Sequence, residues 1–174
     1  AATGEFQRLQ MTTDEGVSLT GEQVQSLLQL DSGQIIVGTA RRGSYVVGGD
    51  RRTLRRIPVE TDAPTDAIQP SVLSMLQPRQ GLLWIAAFGG VDVVDAGDFR
   101  LLRTIRPDPA VPSSLAHDQI RALLRDRSGQ VWIGGYGGGL QRHDPINEAI
   151  RVLRHSPSRP DSLSFPSVSS VLEL

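Results

Sequence analysis

Apolar residues in this chain fall in short runs cut by glycine, proline and polar residues, and one run returns four times. Val24-Gln-Ser-Leu-Leu28 recurs as Val72-Leu-Ser-Met-Leu76, Ile120-Arg-Ala-Leu-Leu124 and Val168-Ser-Ser-Val-Leu172, a step of 48 residues each time. A second run follows in fixed register as Gly33-Gln-Ile-Ile-Val-Gly38, Gly81-Leu-Leu-Trp-Ile-Ala86 and Gly129-Gln-Val-Trp-Ile-Gly134. Ahead of each first run stand Ser18-Leu19, Asp66-Ala67, Ser114-Leu115 and Ser162-Leu163. Three marks in one register make the whole chain an array of repeats.

Each repeat predicts four short strands. The first covers Val24 to Leu30 and its copies. The second, Gln34 to Thr39 and its copies, is almost continuously apolar and rich in Val, Ile and Trp, as a strand buried on both faces should be. Between them Asp31-Ser-Gly33 and Arg127-Ser-Gly129 carry the glycine that a tight hairpin needs. A third strand is expected around Leu140 to His143 or Val91 to Val94, and Asp144-Pro-Ile-Asn147 turns into a fourth around Ile150 to Leu153, with copies at Leu54 to Ile57 and Leu102 to Ile105. No window between the glycine and proline breaks is long enough for a stable helix.

A gapless unit of this length, with four strands and both sheet faces apolar, predicts an all-β β-propeller segment of four-stranded antiparallel blades, because one such unit cannot cover its own faces. At 174/48 the chain holds about 3.6 units. The expected boundaries are an outer strand and link over 1–19, with the strand at Phe6 to Leu9, then units at 20–67, 68–115 and 116–163. Residues 164–174 supply the first strand of a fourth unit, from Val168 to Leu174. Trp84 and Trp132 hold equivalent positions and are expected to anchor packing between blades.

Composition narrows the function classes. Eighteen arginines against nineteen acidic residues leave a net charge of -1, which removes the electrostatic footprint of a nucleic-acid partner. The absence of lysine reads as coding bias of a GC-rich genome. With no cysteine, disulfide frameworks, thiolate nucleophiles and cysteine metal sites are excluded. The chain carries neither a membrane-spanning apolar stretch nor a signal-peptide pattern.

The run Asp126-Arg-Ser-Gly129-Gln-Val-Trp132-Ile-Gly134-Gly-Tyr136-Gly-Gly-Gly139-Leu140, preceded by Pro112-Ser-Ser-Leu115 and Ile120, resembles the repeat of the two-component regulator propeller family. The first unit departs from that pattern with Ile36 at the tryptophan position and Arg41-Arg42 for Gly-Gly; the second has Ala86-Ala87 for Gly-Thr. The resemblance implies a periplasmic or extracytoplasmic sensor portion of a bacterial membrane-anchored receptor. Such a segment detects a small molecule or oligosaccharide and relays to a kinase or cyclase module that this chain lacks. An interaction scaffold and a carbohydrate-active propeller enzyme are the alternatives that share the fold.

Antiparallel order puts the link from fourth to first strand and the link from second to third at one end of every blade, and the short hairpins at the other. Nine of the eleven prolines, at 58, 64, 70, 107, 109, 112, 157, 160 and 166, stiffen the longer links. Ala40, Phe88 and Tyr136 occupy equivalent link positions, so two aromatics stand near one end of the central channel, flanked by Arg41, Arg42, His117 and Asp118. These six residues other than Ala40 are the candidate ligand-binding set; the aromatics serve either as a platform for a sugar or peptide or as packing between blades. No catalytic residue, metal site or cofactor is expected. Gly134 to Gly139 lacks the Gly-Lys-Ser/Thr and the helix of a phosphate loop, and His117, His143 and His155 never reach metal-ligand spacing. Self-association through open blade edges is the remaining expectation.

Overall fold

The computed structural model describes residues 10–14, 16, 18–58, 71–111, 113–146 and 148–174, and among them it contains strands and turns but no helix. Thirteen strands follow in chain order. They are β1 (Thr12–Thr13), β2 (Val24–Gln29), β3 (Ile35–Thr39), β4 (Ser44–Val47), β5 (Thr53–Arg56), β6 (Val72–Arg79) and β7 (Leu82–Ala87). After these come β8 (Gly90–Asp95), β9 (Leu101–Ile105), β10 (Ile120–Arg125), β11 (Val131–Gly135), β12 (Leu140–His143) and β13 (Ile150–Leu153).

They make three sheets, ordered β1-β5-β4-β3-β2, β6-β7-β8-β9 and β10-β11-β12-β13. Within each repeat every pairing is antiparallel. This is an all-β propeller architecture, and every strand expected within the described parts of the three units is present. The hairpins between first and second strands place Gly33, Gly81 and Gly129 at φ of 85°, 81° and 87°, a region where a Cβ would be strained.

The core lies between sheets. Ile36 and Val46 of the first sheet pack with Val72, Leu83, Ile85 and Phe99 of the second. Trp84 and Val93 of the second pack with Ile120, Val131, Ile133 and Ile150 of the third. Burial of second strands on both faces explains their unbroken apolar runs. Adjacent first strands approach closely: a Cβ on Gly38 would stand 2.6 Å from Val72 Cγ1, and Ser26 Oγ donates to the Val72 carbonyl at 2.9 Å.

Four features depart from the sequence expectation. The first is β1, unforeseen in the sequence, which adds to β5 in parallel; the strand expected at Phe6 to Leu9 lies outside the described residues. Residues 164–174 form no strand. They nevertheless occupy the inner-strand seat beside the third sheet: Val168 N donates to Gly135 O at 2.9 Å, and a Cβ on Gly134 would meet Val168 Cγ1 at 2.9 Å, as Gly38 would meet Val72. Glu173 accepts from Arg127 N at about the place where Gln77 accepts from Asp31 N.

Trp132 is the third departure. Trp84 is 3% exposed between two sheets, but Trp132 is only half-buried, because among the described residues its face of the third sheet meets no further sheet. Fourth, the even step of 48 conceals two opposite changes. Trp84 sits opposite Val93 whereas Trp132 sits opposite Arg142, so the third sheet has one more residue in its β11–β12 link. A bulge at Leu102 in the second sheet restores the count.

Candidate ligand-binding face

The two sets of longer links do meet at one end. Ala40 N donates to Gln23 O at 2.9 Å, Tyr136 N to Gln119 O at 3.0 Å, and Gly89 N to Asp118 O at 3.0 Å. Each bond ties a second-to-third-strand link to the entry of a first strand, and the last crosses from the second sheet to the third.

Residues His117 to Gln119 therefore run between Phe88 on one side and Tyr136 on the other. Phe88 bridges to Gln119, and it is 44% exposed while Tyr136 is 55% exposed. His117 Nδ1 lies 2.8 Å from Asp118 Oδ1 and 3.2 Å from the Gln119 amide. One ring nitrogen cannot serve both: protonated it donates to Asp118, and bare it accepts from Gln119. Arg121 lies over the Tyr136 ring at 5.7 Å from the centroid. Ser167 Oγ accepts from Gly137 N at 3.1 Å, so the C-terminal segment helps hold the loop.

Arg41 and Arg42 lie on the link between β3 and β4 of the first sheet. Both are tied to Glu22, whose side chain is 5% exposed, at 3.7 and 3.9 Å, and Arg41 N donates to Glu22 Oε1 at 2.9 Å. Two guanidinium groups against one carboxylate leave a net positive corner with outward-facing arginines. The structure thus brings Phe88, His117, Asp118 and Tyr136 together and ties Arg41 and Arg42 to Glu22.

Sequence reasoning missed Arg121, Ser167 and Glu22. A signal for Glu22 existed, since Glu22 and Asp118 stand 96 residues apart, two repeat steps, and both carry an acid that contacts a nearby base. Beneath Phe88 a cavity of about 50 Å³ is lined by Gly43, Asp92, Thr104 and Arg106, with Thr104 Oγ1 donating to Asp92 at 2.7 Å. It has room for little more than a water or a small substituent. Among the described residues no group of three His, Asp or Glu side chains is arranged to hold a metal ion.

Fold and loop face together define a propeller with its variable links at one end. The comparisons with known proteins agree. Residues 114–137 match the family model of the two component regulator propeller, so the resemblance seen in the third unit holds for the stretch that carries His117, Asp118 and Tyr136. No curated protein matches the sequence. Two crystal structures of the extracellular domain of BT4673 from B. thetaiotaomicron, described in one as a one component system and in the other as a hybrid two component system, are similar at a TM-score of 0.70 and 17% identity. Each match covers 86% of this chain and 18% or 19% of that domain. The extracellular domain of BT3049 from the same organism, described as part of a hybrid two component system, is similar at a TM-score of 0.58 and 21% identity, over 72% of this chain and 16% of the other. This chain therefore spans less than a fifth of the length of those structures, and the likeness shows the propeller fold.

Proposed function

We propose that this chain is a ligand-sensing, non-catalytic propeller segment of an extracytoplasmic bacterial receptor, and that it relays binding on its loop face to a kinase or cyclase module elsewhere. The supporting observation is that the segment matching the two component regulator propeller is also the one that carries the exposed Tyr136, His117 and Asp118. A stacking face with a neighbouring acid and base suits a sugar ring, whose C–H face packs on an aromatic while its hydroxyls take the polar groups. The rigid sheets beneath lower the ordering cost of binding.

Calorimetric titration of the chain with a panel of neutral and acidic oligosaccharides tests this. A binder found on the panel is expected to lose at least about fivefold in affinity with Tyr136→Ala and Phe88→Ala combined, at unchanged melting temperature, since each exposed aromatic is worth about 0.5 to 1.5 kcal/mol. Affinity indifferent to both substitutions would remove the loop face from the function.

A second reading, an interaction scaffold, draws on the outward face of the first sheet. Val24, Leu27 and Ile35 are 57%, 68% and 40% exposed there and line an apolar concavity of about 790 Å³.

A further inference from the structure

The opposite, hairpin end of the molecule holds a second concavity, of about 360 Å³, between the second and third sheets. Its lining includes Trp84 and His143, which are 3% and 5% exposed and stack edge to face at 5.0 Å. Both carry a buried nitrogen, Trp84 Nε1 and His143 Nδ1, without a hydrogen-bond partner among the described residues. Such groups destabilise the fold if left unmet.

The repeat explains why Trp84 lacks a partner. In the third unit the indole N–H of Trp132 donates to Asp126 Oδ2 at 2.7 Å. Asp126 lies two residues beyond Leu124, the residue paired opposite Trp132, and the position two beyond Leu76, paired opposite Trp84, is Pro78. Proline supplies no carboxylate, and Pro78 lines the concavity.

Charge around the concavity favours an anion. Arg79, Arg103 and Arg125 line it against the single carboxylate of Glu148, which is taken by Arg103 at 2.5 Å. Arg79 and Arg125 pair with no carboxylate among the described residues. Burial pushes His143 below the ordinary histidine range, so at neutral pH its ring adds no charge and offers a neutral nitrogen. Leu82 and Val93 supply apolar walls.

We infer that this cleft binds a small free carboxylate with an apolar body, which takes the Trp84 N–H as Asp126 takes that of Trp132 and sets its charge near Arg79 and Arg125. Because the site lies at the other end from the loop face, its failure and that of the sensing site are separate results.

The test uses the 15N-labelled chain and its two indole N–H resonances, assigned with Trp132→Phe. Benzoate is expected to shift the Trp84 resonance downfield and saturably while leaving that of Trp132 in place, and neutral benzamide to bind at least about tenfold more weakly, since it forfeits the charge-assisted bonds. Pro78→Asp is expected to move the Trp84 resonance downfield without ligand and to abolish the benzoate response. Arg79→Gln with Arg125→Gln, both at exposed positions, should weaken binding about tenfold and covers the case of a misfolded Pro78→Asp. No benzoate shift at Trp84, an equal response to benzamide, or affinity untouched by either variant would overturn the inference.

Discussion

Trp132 gives its indole N–H to Asp126, and this one bond joins the turn of the third sheet to its outer face. Asp126 also accepts from Ser128 Oγ at 2.6 Å and from Gln130 N at 2.9 Å. The Ser128 hydroxyl first and the Trp132 N–H second hold its carboxyl well below the usual 3.8, at about 2.

A carboxylate whose pKa is depressed on folding stabilises the protein above its unfolded pKa, and that stability is lost as pH falls through the folded one. For Asp126 the window runs from about pH 4 down to about pH 2. Asp126→Asn is therefore expected to melt below the parent protein at pH 6 and to converge with it as pH approaches 2. Parallel thermal melts across that range check it; a gap that stays constant would show that the ionised carboxylate plays no part.

The two tryptophans separate what repetition equates. Trp84→Ala removes a core aromatic closed in by two sheets and should cost about 3 to 5 kcal/mol. Trp132 is only partly buried, with Arg142 over its ring at 5.9 Å, so Trp132→Ala should cost about 1 to 2 kcal/mol. Urea denaturation of both variants decides, and equal losses would mean that the third sheet is covered as fully as the second.

Docking of the C-terminal segment can be tested apart from global stability. A Cβ on Gly38 meets Val72 Cγ1 at 2.6 Å between two complete sheets, whereas on Gly134 it meets Val168 Cγ1 at 2.9 Å and Val168 O at 3.1 Å. Gly38→Ala should cost about 1 to 3 kcal/mol, because both neighbours are held on all sides. Gly134→Ala is expected instead to raise hydrogen exchange over residues 166–174 while the rest of the chain keeps its protection. Unchanged exchange there would contradict the inner-strand seat.

Sequence reading found the strands because two apolar runs in one register leave little freedom about which residues pair and which face inward. Burial of Trp132 was beyond its reach: whether a face is covered depends on the neighbouring sheet, not on the residue or its repeat position. The off-by-one register of the second sheet was hidden for a different reason, since the shorter β7–β8 link and the bulge at Leu102 cancel in the count. At the loop face, Phe88 and Tyr136 were legible as equivalent aromatics. The tie of Arg41 and Arg42 to Glu22 was not, because the pairing joins two links whose closeness only the folded sheet creates. The exchange of Asp126 for Pro78 stood in the sequence, but its consequence required the buried indole beside it.

The outer faces of the first and third sheets complement each other in kind. Leu27 and Ile35 expose an apolar surface on the first, 68% and 40% in water, and Trp132 with Leu153, the latter 49% exposed, does so on the third. In the complete interfaces the arginine that follows in register reaches across: Arg55 lies over Phe99 at 5.1 Å and Arg103 pairs with Glu148. Arg151, one step of 48 further, lies on the outer face of the third sheet beside Arg142 and is exposed. Head-to-tail stacking of one copy's third sheet on another's first would cover both apolar faces; such heterologous contacts close into a ring where the rotation permits and propagate where it does not. We therefore expect light scattering at micromolar concentration to show association that grows with concentration, and Leu27→Arg, which sets a charge in the middle of the apolar face, to reduce it to monomer without lowering the melting temperature. A monodisperse monomer of the unaltered chain would contradict this, and association undiminished by Leu27→Arg would assign it to another surface.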